Sequence, residues 1–364
     1  MRNSLTFSKY VAKSFIQWFL VVSFVLATII SLFNVVEIVR RAYNKPNVGL
    51  KQVVILAFYQ LPDLLNQLLP FIILFSTMLL LWHMNRRLEL VVARSLGFSI
   101  WSILWPVWAT IIGFSLLNFA VFNPISAEFS TRFEQMEKDL LTGRSSLLMI
   151  SQSGLWLKQE EEHTYSLIRV ARLDNRKKDL QGVTLYSFDQ DNRFINRLDA
   201  NEVSIHPQGW FLKDALLSEA NRAPEKMGDL LWKTDLTLYK IQESFASPAG
   251  IPLWKLPAFI QLMDNAGLSS MDHLHYLYTQ LFMPFLFLTM ATLAGICAYH
   301  FTRKKGGLHF VVTGLGAGFF VFFLHKISHA MGVSMNLPLL LSVLAPVLIG
   351  VLASISLLLH LEEK

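Results

Sequence analysis

The chain has almost no cysteine: one residue in 364, Cys297, set inside an apolar run. An intrachain disulfide is impossible, so any domain outside a membrane must hold together by packing and strand pairing alone. Charge is scarce too. Asp, Glu, Lys and Arg make up 16% of the residues, against about a quarter in an ordinary soluble domain. There is no G-x-x-x-x-G-K-[ST] phosphate loop, so any ATP-driven work must be powered by another chain. No Ser/His/Asp set and no paired carboxylates stand out, which gives an enzyme reading little support. The formal net charge of +6 fits loop lysines and arginines of a membrane protein. Without a basic, aromatic-lined groove it does not point to nucleic acid.

What is plentiful is apolar surface. Hydrophobic residues are 53% of the chain, 28 of them Phe, and the mean hydropathy is +0.42. A water-soluble core cannot absorb that much; lipid is the expected solvent. A span needs about 20 mostly apolar residues. Six stretches qualify: Phe15–Val36, Leu61–Trp82 (extended back toward Val53), Ile100–Phe122, Tyr276–Tyr299, His309–Ala330 and Leu337–Leu359. The first is longer than the apolar core of a secretory signal and shows no small-x-small cleavage site, so it reads as a retained span. Lysine and arginine in short loops orient the set. Arg2, Lys9 and Lys13, then Arg86, Arg87 and Arg94, then Arg303, Lys304 and Lys305 place both termini inside. Against that rule, Arg40, Arg41, Lys45 and Lys51 sit in an outer loop.

Between Asn123 and about Ser270 the character changes. Ser126–Leu141 has helical spacing and continues the third span. Short alternating stretches follow at Gly154–Lys158, Thr164–Ala171, Gly182–Phe188, Asn201–Ile205 and Gly209–Leu217, split by polar turns. That pattern predicts an all-β sandwich or jelly-roll-like sheet. Pro248, Pro252 and Pro257 mark the return linker. The predicted fold class is a mixed membrane protein: six transmembrane α-helices, three plus three, around an inserted extracytoplasmic all-β, jelly-roll-like domain. Its parts are residues 1–122, 123–270 and 271–364.

Few residues look chemical. Gly314-Leu-Gly316-Ala-Gly318 superficially resembles a dinucleotide loop but lies in a span and follows no strand, so close helix approach is the better reading. His325 and His329 have the i,i+4 spacing of metal ligands. No glutamate lies between them, and Lys326 would repel a cation, so no metal is expected. The group His325/Lys326/His329 reads instead as helix–helix contact or as facing a polar cavity. His273 and His275 read as interfacial. The most suggestive segment joins the second and third spans: Arg86-Arg-Leu-Glu-Leu-Val-Val-Ala-Arg-Ser-Leu-Gly-Phe-Ser99. It predicts a short helix over 86–97 with Leu88, Val91, Val92 and Ser95 on one face and Gly97 as its stop. It could be a docking ridge or an ordinary positive-inside loop.

The motif E-L-V-V-x-R-x-x-G-x-S at Glu89–Ser99 resembles the coupling helix of the LptF/LptG (YjgP/YjgQ) permease family of the lipopolysaccharide exporter. The resemblance covers nearly the whole chain, with Asn123-Pro124 leading outward from the third span. Gly332-Val-Ser-Met-Asn-Leu-Pro338 and Ala345-Pro346 resemble the LptG branch more than the LptF branch. The resemblance implies a non-catalytic permease subunit of the bacterial inner membrane, paired with an LptF-like paralogue on an LptB-like ATPase dimer that uses the ATP. It implies export of lipopolysaccharide toward LptC-like and LptA-like periplasmic β-proteins, and no cofactor on this chain. Glu89 would meet basic residues of the ATPase, flanked by Arg86, Arg87 and Arg94, with Gly97 closing the helix. Arg40, Arg41 and Lys45, with Arg132 and Lys326, become candidates for headgroup phosphates. Attraction to ordinary anionic lipid or snorkelling would explain the same residues. Acyl chains would lie against Phe, Leu and Met of the first, second and fifth spans. Two other classes stay open: a scaffold that transmits motion without holding lipid, and a membrane enzyme acting on headgroups.

Overall fold

Long apolar runs leave a chain in lipid no choice but to satisfy its backbone internally, and helices result. The computed structural model describes the chain except residues 1, 44, 46–47, 143–147, 152–153, 161–163, 175–178, 190, 192, 207–208, 220–221, 235, 237–246, 302–306, 335–336 and 363–364. Arg303, Lys304 and Lys305 lie outside the described residues, as do Met335 and Asn336. Helix α1 spans Arg2–Ala42, α2 Leu50–Arg86, α3 Glu89–Ser95, α4 Ile100–Leu117 and α5 Asn123–Glu137. After seven strands come α6 (Leu256–Asn265), α7 (Met271–Phe301), α8 (Gly307–Val333) and α9 (Leu339–Glu362). Among the described residues six helices are long and apolar enough to cross a membrane, as the apolar runs predicted. In the third, a π-helical turn at Asn118–Phe122 joins α4 to α5, giving one continuous helical rod over Ile100–Leu140 that is apolar through Phe122 and polar beyond it. The helical continuation past Ser126 is therefore present.

The chain forms two compact units, residues 1–141 with 275–364, and residues 142–274. In the helical unit α2 is central. Leu69–Leu74, Met78, Leu80, Leu81 and Met84 are buried against Ile103, Leu104 and Val107 of α4 and Leu286, Phe287, Met290 and Ala294 of α7. Helices in lipid gain little hydrophobic energy from meeting, so contact depends on close packing. Gly314 and Gly318 on α8 provide it: a Cβ at these positions would collide with Met78 and Leu74 of α2. The glycine run thus serves helix approach. Pro62 and Pro70 inside α2 are tolerated because neighbouring helices support a proline-interrupted ladder in a bundle.

The second unit is a seven-stranded antiparallel sheet in the order β1-β2-β3-β4-β5-β6-β7. The strands are β1 Leu148–Ser151, β2 Gly154–Glu160, β3 Thr164–Asp174, β4 Asp179–Asp189, β5 Phe194–His206, β6 Gly209–Glu219 and β7 Glu225–Trp232. Register follows the alternation of side chains. One row runs Leu157, Ile168, Leu185, Leu198 and Leu217, and the next Leu155, Val170, Val183 and Ala200. The inserted β-domain is as expected, but its connectivity is finer than that expectation: every strand lies beside its sequence neighbours. Among the described strands there are no crossovers of the kind that define a jelly roll. Part of the expected proline linker is helix α6. Its Met263, together with Ala266 and Leu268, joins the sheet core around fully buried Trp210. Strands β1 and β7 escaped the sequence pattern.

Candidate functional site

The connector between α2 and α4 is built from two backbone reversals. Leu88 precedes α3 in the left-handed conformation (φ 58°), which costs a non-glycine residue about 1 kcal/mol. At the other end Gly97 is left-handed too (φ 84°). Its N–H donates to the Arg94 carbonyl at 2.9 Å, and Phe98 N–H donates to Ala93 at 3.1 Å. This double closure stops the helix and suits glycine. The helix thus begins at Glu89, three residues later than the sequence suggested, and Gly97 closes it as expected.

The seven residues of α3 have two faces. Leu90 and Ala93 are buried. Leu88, Val91, Val92 and Leu96 are exposed, Leu88 by 63% and Leu96 by 71%. Four exposed apolar side chains beside Arg86, Arg87 and half-buried Arg94 form a small greasy ridge rimmed with cations. Glu89 is its one carboxylate. It is not a lone charge: the Tyr10 hydroxyl, on α1, lies 2.9 and 3.1 Å from its two oxygens. Arg87 Nη1 stands 3.9 Å away. Arg86 lies over the Trp82 ring, 4.9 Å from its centroid.

At the opposite end of α1 the candidate headgroup residues are engaged with carboxylates. Arg40 Nη2 donates to Glu37 at 2.8 Å, and Arg41 Nε donates to the same carboxylate at 3.0 Å. Arg41 Nη1 also reaches Glu137, beyond the third span, at 3.1 Å. Arg132 pairs with Glu128 at 2.9 Å. Lys45 is exposed. Lys326, on α8, is exposed and lies 5.5 Å from the Phe322 ring centroid. The structure thus brings Arg40 and Arg41 together, while Arg132 and Lys326 have other neighbours.

Sequence reasoning missed a polar belt inside the helical unit. Asp63, next to Pro62 on α2, accepts from Gln67 at 3.0 Å, and Asn66 donates to Ser126 of α5 at 3.3 Å. Tyr276 of α7 lies near Gln280, Asn123 and Asp63. The rings of His275 and His329 stand edge to face at 4.1 Å. His325 is buried beside them. His273 and His275, expected at the interface, are both buried. Single polar residues dispersed over four helices carry no local motif, so only the three-dimensional arrangement reveals the belt. No group of three or more His, Cys, Asp or Glu among the described residues is arranged to hold a metal.

A ridge between the second and third of six spans, a strand-rich insertion after the third, and three closing spans are matched by one family model, the lipopolysaccharide export system permease LptF/LptG, over residues 9–360. The chain belongs to the LptF/LptG family. Relatives lie within it. LptG of Haemophilus influenzae, a lipopolysaccharide export system permease protein, is 23% identical over 357 residues, covering 94% of this chain and 95% of that protein. LptG of Escherichia coli K12 is 21% identical over 348 residues, 93% of each chain. With six membrane-length helices, this LptF/LptG member is a multi-pass membrane protein of a permease family.

Proposed function

We propose that this chain is a non-catalytic, LptG-like permease subunit of an ATP-driven exporter that extracts lipopolysaccharide from the bacterial inner membrane and passes it to a periplasmic bridge. The observation that carries the reading is the α3 ridge: exposed Leu88, Val91, Val92 and Leu96 around a presented Glu89, in a chain whose sequence has no phosphate loop. In this reading α3 and both termini face the cytoplasm, and the sheet unit faces the periplasm. Glu89 accepts a charge-assisted hydrogen bond from a basic residue of an LptB-like ATPase, in an interface where the apolar ridge excludes water. Arg86, Arg87 and Arg94 frame the contact, and Gly97 closes the helix. ATP is used by that partner. An LptF-like paralogue completes the lipid cavity, and LptC-like and LptA-like β-proteins receive the lipid. Headgroup phosphates meet Arg40, Arg41 and Lys45, with Arg132 and Lys326 as further cations. Acyl chains lie along exposed Leu20, Phe24, Leu32 and Phe33 of α1 and Phe319, Phe320 and Phe323 of α8.

Purification of the tagged chain from native membranes in a mild detergent, with subunit identification by mass, tests the reading. A paralogous permease and an ATPase should accompany it; recovery of the chain without an ATPase would contradict the proposal. One observation favours a second reading, a subunit that transmits motion without holding lipid: Arg40, Arg41 and Arg132 each already have a glutamate partner. Lipid photo-crosslinking from α1 and α8 separates the two, since only the transport reading yields lipopolysaccharide adducts.

A further inference from the structure

Glu89 has a partner within its own chain, and that partner belongs to a different span. The Tyr10 hydroxyl sits within hydrogen-bond distance of both carboxylate oxygens, at 2.9 and 3.1 Å, across 79 positions of sequence. A second contact lies close by: the Phe7 ring packs on Phe98, just past the left-handed Gly97, with centroids 5.1 Å apart. The near end of α1 therefore grips α3 at both of its ends, through a hydrogen bond at Glu89 and a ring contact at Phe98. Between those grips α3 is a seven-residue segment bounded by two left-handed residues, Leu88 and Gly97. Such joints set the segment's angle independently of the helical ladders of α2 and α4. Half-exposed Tyr10 shows no sign of a packing role that would require a hydroxyl; its ring could pack as phenylalanine does.

We propose that Tyr10 is a positioning residue for the docking carboxylate: its phenol orients Glu89 toward an ATPase cation and ties the tilt of α3 to the connector end of α1. The proposal rests on the docking role given above to Glu89 and adds a route by which movement of the ridge reaches the first span. A carboxylate has lone pairs enough for both partners, so a cation arriving at Glu89 need not displace the phenol. Docking then adds to the tie. α1 also carries, at its far end, Arg40 and Arg41. A rigid helix that receives the pull at Tyr10 delivers it there.

Two measurements on Tyr10→Phe, which keeps the ring and removes the hydroxyl, test this. The first uses the permease alone in nanodiscs, with Cys297→Ser and a nitroxide at Val92→Cys, an exposed position on α3. The label should become more mobile in Tyr10→Phe than in the parent. The second uses the assembled complex. ATPase stoichiometry should stay within about twofold, while lipopolysaccharide released per ATP hydrolysed falls about tenfold, the scale of one hydrogen bond to a charged group. Unchanged label mobility overturns the positioning role, whatever the release ratio does. Increased mobility with an unchanged ratio overturns the transmission to α1. If the parent chain recruits no ATPase, the docking reading itself fails, and the nitroxide result still decides whether Tyr10 holds α3.

Discussion

Arg41 on α1 reaches Glu137 beyond the third span, Nη1 to Oε1 3.1 Å, while its Nε holds Glu37 at 3.0 Å on its own helix. One guanidinium thus ties α1 to α5, the polar helical continuation of the third span. A phosphate entering there competes with two carboxylates, which makes the basic cluster conditional and not simply open. Exposed pairs of this kind contribute little to folding, so changing them should act on ligand contact first. Replacing Arg40 and Arg41 by Glu is expected to lower lipopolysaccharide photo-crosslinking about tenfold with normal membrane insertion, as loss of charge-assisted contacts would give. Glu137→Gln should act in the opposite sense, because it frees one edge of Arg41. Crosslinking yield from a probe on α1, normalised to inserted protein, checks both.

The docking carboxylate gives a second prediction. Glu89→Lys places a cation among Arg86, Arg87 and Arg94 and removes the acceptor facing Tyr10. Co-purification of the ATPase should fall by at least about tenfold, since truncating one member of a desolvated charged pair costs a few kcal/mol. The chain itself should remain inserted and folded, because Glu89 is not part of either core. Quantitative pull-down with a melting curve of the purified chain measures the two effects separately.

Close packing of α8 on α2 gives a third. Gly318→Leu would drive a branched side chain into Leu74, and Gly314→Leu into Met78. Overpacking of this kind typically costs about 1–3 kcal/mol. Each variant should lower the detergent melting temperature, whereas Gly316→Ala, whose Cβ would meet nothing within 4 Å, should not.

The sheet unit gives a fourth. Trp210 is fully buried on β6, packs edge to face on Trp232 at 5.5 Å, and donates from Nε1 to the Leu236 carbonyl at 2.7 Å. Trp210→Ala removes that bond and leaves a large void, for an expected loss of about 3–5 kcal/mol. Limited proteolysis should then cut within residues 142–274 at denaturant concentrations the parent resists.

These sites were not equally legible beforehand. The six spans could be read because lipid demands length and low charge, a signal spread over whole segments such as Ile100–Phe122. Five strands showed through the alternation that one buried face imposes. Strand β7 did not: exposed along most of its length, Glu225–Trp232 lacks a regular alternation. Helix α6 was hidden by Pro252 and Pro257, although Pro257 stands in its first turn, where proline fits a helix start. Around the connector, Gly97 announced the stop, but nothing local could place a left-handed Leu88 or bring Tyr10 to Glu89 across 79 positions. The polar belt of Asp63, Asn123 and Tyr276 was invisible for the same reason: each residue looks isolated in its own span.

The exporter account stands or falls on what touches the ridge of α3. A photo-reactive amino acid placed in turn at Val91 and Leu96, both exposed on that ridge, reports its neighbour directly in native membranes. The account predicts an adduct with a nucleotide-binding subunit from both positions, diminished by Glu89→Lys. Labelling of lipid alone from both, with no such adduct in cells that make the full complex, would contradict it.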